Sequence, residues 1–396
     1  MSDNFKIEFA NTLRGFAALS VVLSHYLSTF WYKRDSIAHL INAPLLSPET
    51  HSIPTFITWF NCFPLFDWGS FGVGLFFIIS GFVIPFSLHR RSAIGFCINR
   101  CFRIIPTYML GFSITLLVLF SCARYFSAVL PYSIHEVLIH FIPGLRDLLG
   151  SRNIDTIVWT LEIEMKFYLI VALSIAWFRS YSLKIFLIPT AFFLLSCYVS
   201  HMIPVWAMNH LVAFIQAEIY MMSSPYIIFM FIGVVFHYLY SDKISSDLGY
   251  LLISTLFFMF CIAWRVGPYS ENLILAWSYA LALLMFMFAY IFPHFFKANP
   301  IFNFLADVSY PLYIIHSIVG YSLLRIMLDR NFNIELALCV VMFISILLSW
   351  FLHLIIERPS QAFGKKIAER LDSHFSKFPF FIKKWGKSLR LQSSRN

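Results

Sequence analysis

The chain has 396 residues, of which 59% are hydrophobic and only 12% charged, and 46 are phenylalanine; this composition excludes an ordinary soluble globule and implies an all-α polytopic membrane protein. Net charge is +9, and from Glu357 onward ten Lys and Arg stand against three acidic residues, a pattern that suits a cytoplasmic segment facing anionic lipid and not an arm for nucleic acid. Seven scattered cysteines, an odd number, argue against a disulfide framework, and Cys97 with Cys101 lacks the further ligands of a metal site, so no metal is expected.

The first apolar run, about residues 11 to 31, follows the polar segment MSDNFKIEFANTLR without a small-residue cleavage site and is expected to stay as an anchor. It carries Arg14 and His25. Eleven positions come to about three helical turns, so the two side chains share one stripe, roughly 16 Å apart along the axis. A bilayer rejects such groups unless they face a polar interior, so the stripe predicts one. Taken singly, Arg14 can equally snorkel to the inner headgroups and His25 make one structural hydrogen bond.

Further runs at 71 to 88, 104 to 123, 156 to 178, 184 to 203, 225 to 240, 248 to 265, 272 to 292, 301 to 328 and 336 to 356 bring the expectation to about ten helices; the sixth, short and opening at Pro225, is the weakest. With the N-terminus inside, inner segments collect twenty basic residues and outer segments eight, which predicts both termini in the cytoplasm. The reading divides the chain into a membrane domain, 1 to 357, and a basic cytoplasmic tail, 358 to 396. The longer outer loops, about 32 to 70 and 124 to 155, are candidates for a lid or a binding surface on the far side.

Within 69 to 84, Gly72, Gly74, Ser80 and Gly81 read as residues that let helices approach closely. In the stretch 89 to 106, Arg100 and Arg103 stand at i, i+3 near the inner end of a helix. Arg103 precedes Ile104 and Ile105, at or within the membrane boundary. Several guanidinium forks there suit a polyphosphate; an ordinary positive-inside cluster is the alternative. Between 158 and 170, Glu162 and Glu164 point to nearly opposite sides and do not form a catalytic pair. Glu164 is expected on an aromatic and apolar face with Leu161, Phe167 and Tyr168 that would raise its proton affinity. Glu162 and Lys166 can pair at i, i+4. In 304 to 317, Ser309, Tyr313 and His316 form one polar stripe with Asp307 near its inner end; the stripe can glue helices together, and His316 is the rival to His25 as a base. No Walker loop, GxSxG elbow or HExxH pair is present.

Together these stretches resemble the membrane-bound acyltransferase family 3, bacterial integral-membrane enzymes that O-acylate lipopolysaccharide, exopolysaccharide and Nod factors. The likeness runs through LRGFAALSVVLSHY (13 to 26), GVGLFFIISGFVI (72 to 84), NRCFRIIPTY (99 to 108), VWTLEIEMKFYL (158 to 169), VSYPLYIIH (308 to 316) and IIERP (355 to 359). The family's Arg, ten residues, His pattern matches Arg14 and His25; its R-x-x-R with a following Pro matches Arg100, Arg103 and Pro106; its Trp, Ser or Thr, Leu, two residues, Glu pattern matches Trp159, Thr160, Leu161 and Glu164. Asn99 departs from a usually basic position, which weakens one phosphate contact, and Met165 and Lys166 replace acidic or amide residues, changing the rim of the acceptor side. The esterase-like periplasmic domain of some members has no counterpart here.

The resemblance implies an acyl-coenzyme A donor, most often acetyl, used without a permanently bound cofactor, a glycan or lipid-linked glycan acceptor, and a place in the bacterial cytoplasmic membrane. It implies that Arg14, Arg100 and Arg103 bind the coenzyme, that His25 serves as base or acyl carrier with Glu164 orienting it or the acceptor, and that Trp159, Tyr168, Tyr313 and His316 contact substrate. The rival reading is a transporter or channel lined by the same residues.

Overall fold

The computed structural model describes residues 7–63, 66–88, 91–297 and 299–373, and among them every regular element is helical. Ten long helices follow one another: α1 (Glu8–Ser24), α2 (Trp68–Val83), α3 (Ala93–Tyr125), α4 (Val158–Leu173), α5 (Leu187–Asn209), α6 (Leu211–Tyr240), α7 (Ser246–Arg265), α8 (Leu273–Ile291), α9 (Ser309–Asp329) and α10 (Ile334–Leu352). Among the described residues, eight helices are long and apolar enough to cross a membrane. The two outside that count are α1 and α4, of 17 and 16 residues, which carry Arg14 and Glu164. The helix of α10 continues through a π-helical turn, His353–Glu357, as far as Ser373, where Asp372 accepts from the Ser92 backbone N–H at 2.9 Å at the start of α3. Arg90 and the tail residues Lys377, Lys383, Lys384, Lys387, Arg390 and Arg395 lie outside the described residues.

Two expectations are corrected. The sixth run is not a weak helix opening at Pro225: α6 begins at Leu211, has 30 residues with Pro225 inside it, and is the most buried of the eight spans. The apolar residues upstream of the proline extend the helix, and a bilayer tolerates a proline where neighbouring groups take over the backbone bond it frees. The run at 301 to 328 is two helices, Pro300–Asp307 and α9, parted at Val308.

Glycine sets the closest helix contact. At Gly81 of α2 a Cβ would collide with the Met230 carbonyl, and at Gly233 of α6 it would collide with the Ile78 carbonyl, so each backbone rests on the other. Around this contact, α2, α6, α7 and α8 form one apolar cluster; α3, α9, α10 and the outer end of α1 form a second. Phe76, Tyr310 and Tyr313 pack against both, which marks the seam between the two halves.

Glu162 and Lys166 do not pair with each other. Arg146 donates through Nε to Glu162 at 2.9 Å and through Nη2 to its other oxygen, while Lys166 binds Asp147 and donates to Ser223 at 2.6 Å. Two cations and two anions thus tie the outer segment Leu145–Leu149 to α4 and α6. Glu162 is 2% exposed, so stripping its partner leaves a buried charge. Arg146→Met is expected to destabilise the protein by about 3–5 kcal/mol, and Arg146→Met with Glu162→Met to recover most of that loss, read as melting temperatures in detergent.

Candidate active site

A cavity of about 340 Å³ opens at the seam. At one end stand Ile7, Asn11, Asp307 and Gln361; at the other, Thr160, Leu161 and Tyr313. Arg14, Arg100 and Arg103 all line it, as do Glu164, Ser80, His353 and Glu357. The i, i+3 spacing of Arg100 and Arg103 puts both on the face of α3 that lines the cavity beside α4.

The arginines are held apart from the carboxylates. Arg14 donates through Nε to Ser309 Oγ at 3.0 Å. Arg100, 8% exposed, lies over the rings of Phe96 and Tyr168 at 5.3 and 5.2 Å and donates to Ser87 Oγ at 3.2 Å, while its Nε is buried without a partner. Arg103 engages no hydrogen-bond or ion-pair partner among the described residues. Glu164 accepts instead from Tyr168 at 2.5 Å and from Ser80 at 3.4 Å. Glu357 accepts from His353 Nδ1 at 2.7 Å and from Gln361 at 2.9 Å, both on its own helix. Both bonds to Glu164 fall on Oε1, whereas both oxygens of Glu357 are occupied, and neither carboxylate is in hydrogen-bond contact with an arginine, so guanidinium donors remain available to an anion. The face that Glu164 presents is therefore not apolar, as its sequence neighbours suggest, because three arginines share its cavity.

Arg14 and His25 do not share the cavity. α1 and α9 run parallel, pairing Arg14 with Ser309 and His25 with Tyr321 at sequence separations of 295 and 296, and His25 lies beyond the cavity, at the C-terminal end of α1. Its Nδ1 is 2.5 Å from the Tyr321 hydroxyl. His25 also opens a π-helical turn, His25–Thr29, whose carbonyls are taken up by side chains: Trp31 Nε1 donates to Tyr26 and Asn61 Nδ2 to Leu27, at 3.1 and 2.8 Å. Such turns concentrate at functional positions. Between cavity and His25 runs a file of polar side chains: Thr160 donates to the Tyr313 hydroxyl at 2.9 Å, the Tyr313 and His316 rings lie 5.7 Å apart, and those of His316 and His25 4.6 Å apart at 81°.

Of the residues expected to contact substrate, only Tyr313 lines the cavity. Trp159 packs edge-on against Phe77 and tilted against Tyr226, Tyr168 touches Glu164 and Arg100, and His316 is fully buried beside His25. Ser80, read as a packing residue, faces the cavity. His353, Glu357, Gln361 and Tyr321 escaped the sequence reading. The i, i+4 spacing of His353 and Glu357 was a visible signal; Tyr321 has no charge or motif to mark it.

Outside the spans, burial pushes the Asp155 carboxyl up to about 7, against a backbone hydrogen bond from Ile157 that lowers it. The native state therefore holds this proton more tightly than the unfolded chain, and stability is lost as pH rises from about 4 through 7, by as much as about 4 kcal/mol. Asp155→Asn is expected to flatten that slope and raise the melting temperature at pH 8. His140, lowered to about 4 by burial and Arg146, acts in the opposite sense, costing stability as pH falls from 6.5 toward 4, so the comparison is made between variant and wild type at each pH.

A family model described as an acyltransferase domain matches residues 7–354, nearly the whole described chain. No curated protein and no solved structure matches it.

Proposed function

The chain belongs to acyltransferase family 3 and is a multi-pass membrane acyltransferase, and from that premise we propose that it moves an acyl group, in the first instance acetyl, from cytoplasmic acyl-coenzyme A to a hydroxyl of a cell-surface glycan. The observation that carries the donor is the arginine trio. Three guanidinium groups surround one cavity, one of them making no hydrogen bond among the described residues, and planar forks of this kind bind phosphate oxygens bidentately. The coenzyme's phosphates sit against Arg14, Arg100 and Arg103, and its pantetheine arm passes Ser80 and Glu164 toward Thr160 and Tyr313.

His25 stands further along the same file, where the acyl group meets its acceptor from the outer side. In the net reaction the acceptor oxygen bonds to the thioester carbonyl carbon, the C–S bond breaks, and the departing sulfur takes the hydroxyl proton to become the free thiol. His25 serves this exchange as base or as intermediate acyl carrier. The enzyme works in the bacterial cytoplasmic membrane, with its basic tail against anionic lipid.

Two measurements test this reading. Detergent-purified protein given acetyl-coenzyme A releases free thiol, and surface glycans from cells with the gene carry the added mass of an acetyl group that cells without it lack. Protein that releases no thiol, together with unchanged glycans, overturns the proposal.

A further inference from the structure

His316 is 0% exposed, and its Nδ1 lies 2.9 Å from the carbonyl oxygens of both Leu312 and Tyr313. Carbonyls only accept, so Nδ1 carries the proton, and in the neutral ring Nε2 is a bare acceptor. That Nε2 is buried and has no hydrogen-bond partner among the described residues. An orphaned acceptor is a cost the fold need not bear, since an apolar residue would fill the space, and a group that hydrogen-bonds to it during turnover accounts for its presence. The ring stands edge to face against His25, between that residue and the cavity-lining Tyr313.

Resting on the acyl-coenzyme A reading, we propose that His316 is the base for the acceptor hydroxyl and that His25 carries the acyl group between donor and acceptor. First, His25 Nε2 bonds to the thioester carbonyl carbon and the C–S bond breaks; the sulfur leaves with its electron pair and takes up the proton that His25 loses from Nδ1, giving thiol and a neutral acyl-imidazole. The acceptor hydroxyl then gives its proton to His316 Nε2 as its oxygen bonds to the acyl carbon. The C–N bond to His25 breaks, and the proton on His316 passes to the freed imidazole, restoring both rings. For the first step His25 donates through Nδ1 to the Tyr321 hydroxyl, which leaves Nε2 free to attack. This division suits the layout, since a donor entering by the arginines and an acceptor arriving from the outer face need never meet.

The test needs no identified glycan, because water serves as a slow acceptor. Full-length protein in nanodiscs is mixed with acetyl-coenzyme A radiolabelled in the acetyl group, and thiol release and protein-bound label are followed together. His316→Asn keeps a donor for the Leu312 and Tyr313 carbonyls and removes the base; His316→Gln is the second variant, and both are taken forward as monodisperse protein. The expected result is a burst of about one thiol per protein, label retained on the protein and released by hydroxylamine, and a steady rate lowered about 100-fold. His25→Ala shows neither burst nor label. Equal steady rates in wild type and both variants overturn the inference alone, as does loss of burst and steady rate together in both variants. Wild-type protein that consumes no acetyl-coenzyme A overturns the donor reading and this inference with it.

Discussion

Replacing His25 with Ala is expected to lower acyl transfer by about 10²- to 10⁴-fold while leaving the protein folded and in the membrane. The ring makes one side-chain hydrogen bond, to Tyr321, and the loss of a single bond of that kind costs about 1 kcal/mol, too little to unfold a bundle of this size. Activity and assembly are therefore separable at this residue. The check is thiol release per mole of monodisperse protein, with glycan acetylation in cells as the second readout. A His25→Ala protein that transfers at the wild-type rate would remove the residue from the chemistry and with it the significance of the π-helical turn it opens.

Arg103 gives the second large effect. Because Arg103 makes no hydrogen bond among the described residues and meets Glu164 and Glu357 only through their charge, Arg103→Gln is expected to lower the melting temperature modestly, yet to raise KM for acetyl-coenzyme A by about 10- to 100-fold with kcat little altered, as expected for losing one charged hydrogen bond to the ligand. Arg100 is the instructive contrast. Its guanidinium rests on Phe96 and Tyr168 and bonds Ser87, so Arg100→Gln should lower stability as well as affinity. The KM of wild type should also climb with ionic strength, more gently than for a surface site because the arginines are screened by protein. An Arg103→Gln protein with unaltered KM would argue that the phosphates lie elsewhere.

Much of this was legible in the residues. Arg100 and Arg103 share a face because three positions nearly complete a turn, and Glu162 and Glu164 part company because two positions do not; the structure has both arginines on the cavity, Glu164 there with them, and Glu162 on the opposite side with Arg146. The apolar runs located the helices because a bilayer demands them. What failed to show was any feature that depends on a partner helix. Helical spacing aligned Arg14 with His25 but could not reveal that the cavity ends at Tyr313, since that is decided by how α9 lies beside α1. The Glu162–Lys166 pair was plausible by spacing and lost to Arg146 and Asp147, which arrive from a loop. Tyr321 gained its meaning only from the parallel register of two helices, and Pro225, a stop signal in water, sits inside the most buried span.

The π-helical turn at His25–Thr29 holds one residue more than an α-helical turn would. Removing a single residue there, after His25, would tighten the turn to α-helical pitch and leave the segment that follows in nearly its present direction, because the wide turn absorbs the extra residue. A gain or loss of one residue is therefore taken up inside the turn, with the Arg14–Ser309 contact before it undisturbed.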